Sequence, residues 1–156
     1  MGEKKVKGRK RHIITDTEGF VLGCYVGAAN ENDRYGVVKA INNMKCKYNQ
    51  VSKMWADMGY QGKDLKADIF NDHDINVEVI NRPSRRFWVH RDTPIELLPK
   101  VEEGFKVQPK RWVVERTFAW LGRNRRLSKE YEFDTSSSEN FIYMAMNRLI
   151  LRRKYA

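Results

Sequence analysis

Hydrophobic positions along the chain fall into short alternating runs and longer helical stripes, separated by polar turns. His12–Thr15 and Phe20–Val26 are β-branched and aromatic runs joined by Asp16-Thr17-Glu18-Gly19. A polar tetrapeptide ending in glycine between two such runs predicts a β-hairpin. Beyond Ala28-Ala29-Asn30, Val37, Val38, Ile41 and Met44 recur on one helical face, with Asn30, Asn32 or Asp33 available as the cap. Val51–Ala56 predicts a short buried strand ended by Asp57 and Gly59, Tyr60–Phe70 a helix, and Ile75–Ile80 a strand of alternating β-branched residues. Hairpin, helix, strand, helix, strand is the order of a mixed sheet with covering helices, an α/β fold.

From Asn81 to Lys110 the pattern breaks. Pro83, Pro94, Pro99 and Pro109 and the cluster Arg82, Arg85 and Arg86 predict an irregular basic connection. Arg111–Leu121 then reads as a helix with Val114, Phe118 and Leu121 as its apolar stripe. The last helix is expected to open on Ser136-Ser137-Ser138-Glu139, a capping box, and to run through Phe141, Ala145, Met146, Leu149 and Ile150. Arg152, Arg153 and Lys154 end it with the charge sign that the helix dipole favours. Met1–Arg11 is a basic arm with no fold signal, so the domain is expected over 12–156, and no internal repeat is visible.

Charge narrows the class of partner. Among 156 residues, 30 Lys and Arg stand against 20 Asp and Glu, a net charge of +10 that favours a polyanion, nucleic acid first. No apolar run approaches the ~20 residues needed to span a bilayer, and the basic N-terminus lacks the apolar stretch of a signal peptide. The expectation is a cytoplasmic, nucleoid-associated protein with no membrane partner. Cys24 and Cys46 form no CxxC pair, and His12, His73 and His90 add no zinc-ligand spacing, so both cysteines are expected as thiols.

Two carboxylates stand out by context. Asp57 follows a short apolar strand, at the rim where open sheets present their sites, although a turn or cap residue would read the same way. Glu115 lies on a helix otherwise apolar and cationic, where an ion pair with Arg111 four residues earlier is the plainer reading.

Three stretches resemble a known family in the right order: Gly8-Arg9-Lys10-Arg11-His12-Ile13-Ile14-Thr15-Asp16, Trp55-Ala56-Asp57-Met58-Gly59-Tyr60, and Arg111-Trp112-Val113-Val114-Glu115-Arg116-Thr117-Phe118-Ala119-Trp120-Leu121. Together they are similar to the DDE transposases of bacterial insertion sequences, in the family-five group. The resemblance implies an RNase-H-like fold whose three acidic residues bind two divalent ions, Mg2+ or Mn2+, and cut and rejoin double-stranded DNA at transposon ends and target. It makes Asp57 the middle carboxylate and Glu115 the last. Around the glutamate the family pattern is Tyr, two residues, Arg, three residues, Glu, six residues, then Lys or Arg. Arg111 fits; Gln108 and Gly122 depart from it. At ~100° per residue Arg126 would share the Glu115 face and could supply the missing cation. Lys10, Arg11, Arg82, Arg85, Arg86, Arg111, Arg123, Arg125 and Arg126 are the expected DNA contacts.

The resemblance also implies a gap. The hairpin corresponds to the family's second and third strands, so the central first strand and its aspartate are expected to be missing. Asp16 sits at the turn, at the opposite end of the sheet from Asp57, and Asp33 lies beyond the edge strand as a helix cap. A slot should therefore stand between strands two and four, to be filled by an upstream segment or a second protomer. The alternatives at this stage are a non-catalytic DNA-binding remnant, such as a transposition inhibitor, and an unrelated basic RNA-binding protein. Against the latter, the aromatic residues do not cluster on a strand as a stacking platform.

Overall fold

In the computed structural model, which describes residues 8–45, 48–79 and 111–155 together with positions 90 and 94, the N-terminal hairpin forms as expected. Strand β1 (Arg9–Thr15) pairs antiparallel with β2 (Val21–Ala28), Arg9 opposite Ala28 and Ile13 opposite Cys24, with a register shift at Ile14/Thr15. The strand thus starts three residues before His12 and takes in Lys10 and Arg11, which the sequence places in an unstructured arm. The expected connection over 81–110 lies outside the described residues, apart from the two isolated positions.

Helix α1 (Asp33–Lys45) follows the hairpin, and its cap is Asn32, whose side-chain oxygen accepts the Arg34 N–H at 3.0 Å. Asp33 is the first helical residue and not the cap. Strand β3 (Lys53–Ala56) leads into a 3-10 turn (Met58–Tyr60), then α2 (Lys63–His73), and β4 (Asn76–Val79) returns parallel to β3 with Lys53 opposite Asn76. The helix expected from Tyr60 therefore begins only at Lys63, after Gly62 has broken the path. Among the described residues the strands form two separate two-stranded sheets, β1 with β2 and β3 with β4. The break between β1 and β3 falls where the sequence reading expects a slot.

Two apolar clusters hold the layers. Ile14, Val37, Ala40, Ile41, Met44, Leu65, Ile69, Ile75 and Val77 pack α1 and α2 on one face of the strands. Val21, Cys24, Val26, Leu121, Leu127, Ile142 and Met146 pack the other face of the hairpin against α3 (Arg111–Gly122) and α4 (Thr135–Lys154). Each of the fully buried Ile and Leu side chains contributes about 1.5–3 kcal/mol by leaving water. Strand β3 differs from expectation: its residues alternate between exposed and half-buried, and Trp55 is 38% exposed.

Helical faces also rotate against the sequence reading. Val113, Thr117 and Leu121 are the buried line of α3, while Phe118 stays 40% exposed. The Thr117 hydroxyl is satisfied in the core by Gly19 O at 2.7 Å, with Val113 O at 3.0 Å as a second acceptor. The cap of α4 is Asp134, whose carboxylate accepts the Ser136 N–H at 3.2 Å and the Ser136 hydroxyl at 2.6 Å. Those bonds hold the Asp134 carboxyl below the usual range. Glu139 does not close the expected capping box: it reaches across to accept the Val26 N–H at 2.9 Å, joining α4 to β2.

Candidate active site

Between β1 and β3, where the two sheets fail to meet, lies a cavity of about 650 Å³. Arg11–Thr17 line it on one side and Val51–Asp57 on the other, and α3 closes it with Val113, Val114, Glu115 and Phe118. Val114 and Phe118 thus face this cavity and not the core, the reason the expected stripe of α3 turned by one residue. Asp57 and Glu115 open onto the same space.

Asp57 is placed by the end of β3. Its extended backbone (φ −76°, ψ 165°) leaves the strand, and its carboxylate accepts the Met58 N–H at 2.7 Å, capping the 3-10 turn. The turn is fastened through Tyr60, whose hydroxyl lies 3.0 Å from Nδ1 of His12 on β1. Burial, with the charges of Asp33 and Asp57 adding to it, pushes the Tyr60 phenol up to about 12. Asp33 is close by: a Cβ on Gly59 would stand 3.5 Å from its Oδ2. Its other oxygen holds Lys10 Nζ at 2.7 Å, and the same ammonium donates to Glu31 O at 3.1 Å.

Glu115 is exposed on α3, which is fastened at the hairpin turn. Arg116 donates to Glu18 O at 2.6 Å and Thr117 to Gly19 O. Gly19 takes φ +88°, and a side chain there would run into Thr117, Trp120 and Arg116. The anchor of Asp57 is His12, four residues before the turn begins at Asp16, a distance of ~13 Å along an extended strand. The sequence reading places both carboxylates at one rim; their anchors stand at different levels of β1. Among the described residues no group of three or more His, Cys, Asp or Glu is placed to hold a metal ion. Asp16 is the expected turn residue, its carboxylate accepting the Glu18 and Phe20 N–H groups at 2.9 Å.

The expected DNA contacts divide by environment. Lys10 is paired with Asp33, and Arg11 donates to Leu127 O, Lys129 O and Glu130. Arg126 pairs with Glu132 at 2.7 Å and lies over the Phe141 ring. Because α3 stops at Gly122, the helical projection that would bring Arg126 to the Glu115 face does not apply. Arg123 and Arg125 are exposed and carry no ion pair among the described residues. Arg82, Arg85 and Arg86, and the side chain of Arg111, lie outside the described residues. Sequence reasoning missed His12, Arg116 and Thr117 as fasteners. Only Thr117 carried a signal, a polar residue four places after Val113 on a helix face that must be buried.

Comparison with known proteins bears on the whole assembly. The profile of the family described as Transposase DDE domain matches residues 2–150. The chain is 29% identical over 127 residues to a Burkholderia cepacia protein named as the transposase for insertion sequence element IS402. That alignment takes in 80% of this chain and 54% of the relative, so the chain spans about half the relative's length. No solved structure matches the chain. With a family profile covering nearly all of the sequence, including the strand end at Asp57 and the helix of Glu115, the chain belongs to the DDE transposase family of insertion-sequence proteins.

Proposed function

We propose that this chain forms the catalytic region of an insertion-sequence transposase, one that cuts and rejoins double-stranded DNA and is completed by one further strand. The observation that carries the reading is the cavity between β1 and β3. In an RNase-H-like sheet of order 3-2-1-4-5, strands β2, β1, β3 and β4 take the places three, two, four and five. The break falls where the central strand would stand. An upstream segment of a longer product, or a second protomer, would pair with β1 and β3 at once and bring the third carboxylate.

Asp57 and Glu115 would be two of the three ligands for Mg2+ or Mn2+, since carboxylate oxygens suit hard cations. When bound, such ions activate the attacking oxygen and stabilise the leaving one in an in-line phosphoryl displacement. The residues of this chain contribute position. Asp57 is held by the Met58 N–H and by the tie from Tyr60 to His12, which fixes the turn against β1. Arg123 and Arg125, with Arg82, Arg85, Arg86 and Arg111, are assigned to the DNA backbone. Lys10, Arg11 and Arg126 are already engaged within the fold.

The test is nicking of supercoiled plasmid with manganese by the chain alone, by the chain with the upstream segment, and by that pair carrying Asp57→Ala or Glu115→Ala. Activity is expected only from the complemented pair and should fall at least ~100-fold in either variant. Activity of the chain alone that Glu115→Ala abolishes would refute the missing strand. Activity that neither substitution touches would refute the two sites. A complemented pair that binds DNA without nicking it would leave a DNA-binding remnant.

A further inference from the structure

The last two turns of α4 carry Arg148, Arg152, Arg153 and Lys154, all exposed. No ion pair neutralises any of them among the described residues. The helix dipole accounts for a basic final turn. It does not account for Arg148, which stands one turn earlier and faces Arg152 at i and i+4, where like charges destabilise an isolated helix. Nor does it account for where the Arg153 guanidinium lies. That guanidinium lies 4.4 Å from the Trp120 ring centroid and 5.3 Å from that of Phe20, two rings themselves 6.4 Å apart. Trp120 also takes the Arg116 guanidinium at 4.8 Å, and Arg116 lies 4.2 Å from the Trp112 ring.

The two arginines on this aromatic column differ. Arg116 is half-buried and bonded to Glu18 O, a structural pin between α3 and the hairpin turn. Arg153 has only its rings. A guanidinium laid on an aromatic face keeps its N–H fork free in the plane and loses little further freedom on meeting a phosphate. Glu18, on the turn beside the column, forms no ion pair among the described residues, and its one carboxylate stands against the four cations of the helix end.

We infer that the Arg148–Lys154 segment of α4, with Arg153 held over Trp120 and Phe20, forms a further phosphate-binding surface for double-stranded DNA, built from residues other than Arg123 and Arg125. The inference rests on the DNA reading above and adds a surface that a catalytic centre between β1 and β3 does not require. The register of a duplex on a transposase depends on contacts away from the reacting phosphate, and phosphate contacts supply position in place of sequence selection.

The experiment is fluorescence anisotropy of a labelled duplex across a range of salt concentrations, with thermal unfolding of each variant alongside. Arg148→Gln, Arg152→Gln and Arg153→Gln should each lower the steepness of the log affinity against log salt plot by about 0.9, the change that follows when one phosphate fewer is neutralised. Arg153→Lys should keep the steepness and lose affinity severalfold, because the charge remains and the oriented fork does not. Lys63→Gln, on α2, should change neither. Arg148 and Arg152 make no side-chain hydrogen bond, ion pair or ring contact among the described residues, so their variants carry the test even if Arg153→Gln loosens the Trp120 stack. Wild-type steepness in all three glutamine variants, with a decrease in Arg123→Gln, would overturn this surface and leave the proposed function standing. A chain that binds no duplex at low salt, either alone or with the upstream segment, would overturn both. Loss of binding to phosphatidylserine vesicles with DNA binding intact would assign the surface to a membrane and overturn the inference.

Discussion

The imidazole of His12 occupies the space that a side chain on Gly36 would need: a Cβ built there collides with three atoms of the ring. His12 stands on β1 and Gly36 in the first turns of α1, so the missing side chain lets the ring lie flat between strand and helix. From there Nδ1 reaches the Tyr60 hydroxyl and fastens the turn that begins at Asp57. The contact joins the hairpin to the sheet of β3 and β4, which no strand pairing does among the described residues.

Gly36→Ala is therefore expected to destabilise the chain. An alanine inside a helix usually gains ~0.5–1 kcal/mol over glycine. Here the methyl must displace His12 from Tyr60, and overpacking of this kind costs ~1–3 kcal/mol. Gly122→Ala provides the contrast, since a Cβ there meets nothing within 4 Å. Chemical unfolding should show the first variant less stable than the parent and the second equal or more stable. A stabilised Gly36→Ala would show that the ring can leave its seat without cost.

His12 also sets a pH dependence. Burial, the largest influence, lowers its pKa from the ordinary value near 6.5, with Lys10 in the same direction and Asp33 and Glu31 opposing. A base whose folded pKa is depressed binds fewer protons folded than unfolded just below 6.5, so stability falls as pH drops from 6.5 toward the folded value. Glu139 acts oppositely in a lower window: burial raises its carboxyl from 4.5, and the stability this confers is lost as pH rises from there. Unfolding midpoints across roughly pH 5 to 7 should slope upward in the parent and flatten in His12→Phe. An unchanged slope in the variant would assign the titration to another group.

Much of the fold was legible because it rests on local chemistry. The turn at Asp16 to Gly19 was readable from an aspartate that bonds its own backbone and a glycine at positive φ. The helices were readable from periodicity, but their faces were not. On α3, Val113 and Val114 are adjacent and equally apolar, and the choice of buried face depended on where the Thr117 hydroxyl found an acceptor in the hairpin. Asp134 displaced the expected capping box because its carboxylate meets two donors of Ser136, while Glu139 found the Val26 amide on another element. The candidate site was readable as residues and not as geometry. Asp57 and Glu115 stand in recognisable strings, yet their anchors, His12 and the Gly19 turn, depend on long-range contacts that no spacing reveals.

Arg11 and Arg123 should separate structure from binding. Arg11 spends its guanidinium on Leu127 O, Lys129 O and Glu130, which also accepts from the Ser138 hydroxyl at 3.0 Å. Glu130→Ala leaves that half-buried cation without its carboxylate and is expected to cost ~1–3 kcal/mol. Arg11→Gln should likewise lower the unfolding midpoint and leave the salt dependence of DNA binding unchanged. Arg123→Gln should do the reverse, reducing the salt steepness by about 0.9 with no change in stability. Equal falls in DNA affinity in both would show that Arg11 leaves its internal partners to meet DNA.

The last expectation concerns the slot itself. A strand paired on one side presents every second amide outward, and those facing the slot have no ladder partner among the described residues. Backbone groups left in a cavity of this size either exchange with water or recruit a chain to pair with, since a buried unpaired amide is costly. Hydrogen exchange of the chain alone should therefore alternate along β1: amides bonded to β2 are slow and their neighbours fast. Strand β3 should exchange quickly, because it has four residues and one partner, β4. Adding the proposed upstream segment should slow the fast amides of β1 and β3 together, since a strand seated in the slot bonds to both edges. It should also protect the amides of the Asp57 turn, which β3 and Tyr60 hold from two sides. Uniform protection of β1 before any segment is added would mean that the two sheets close on each other in solution. The central strand would then have no place to enter, and the transposase reading would need another source for its third carboxylate.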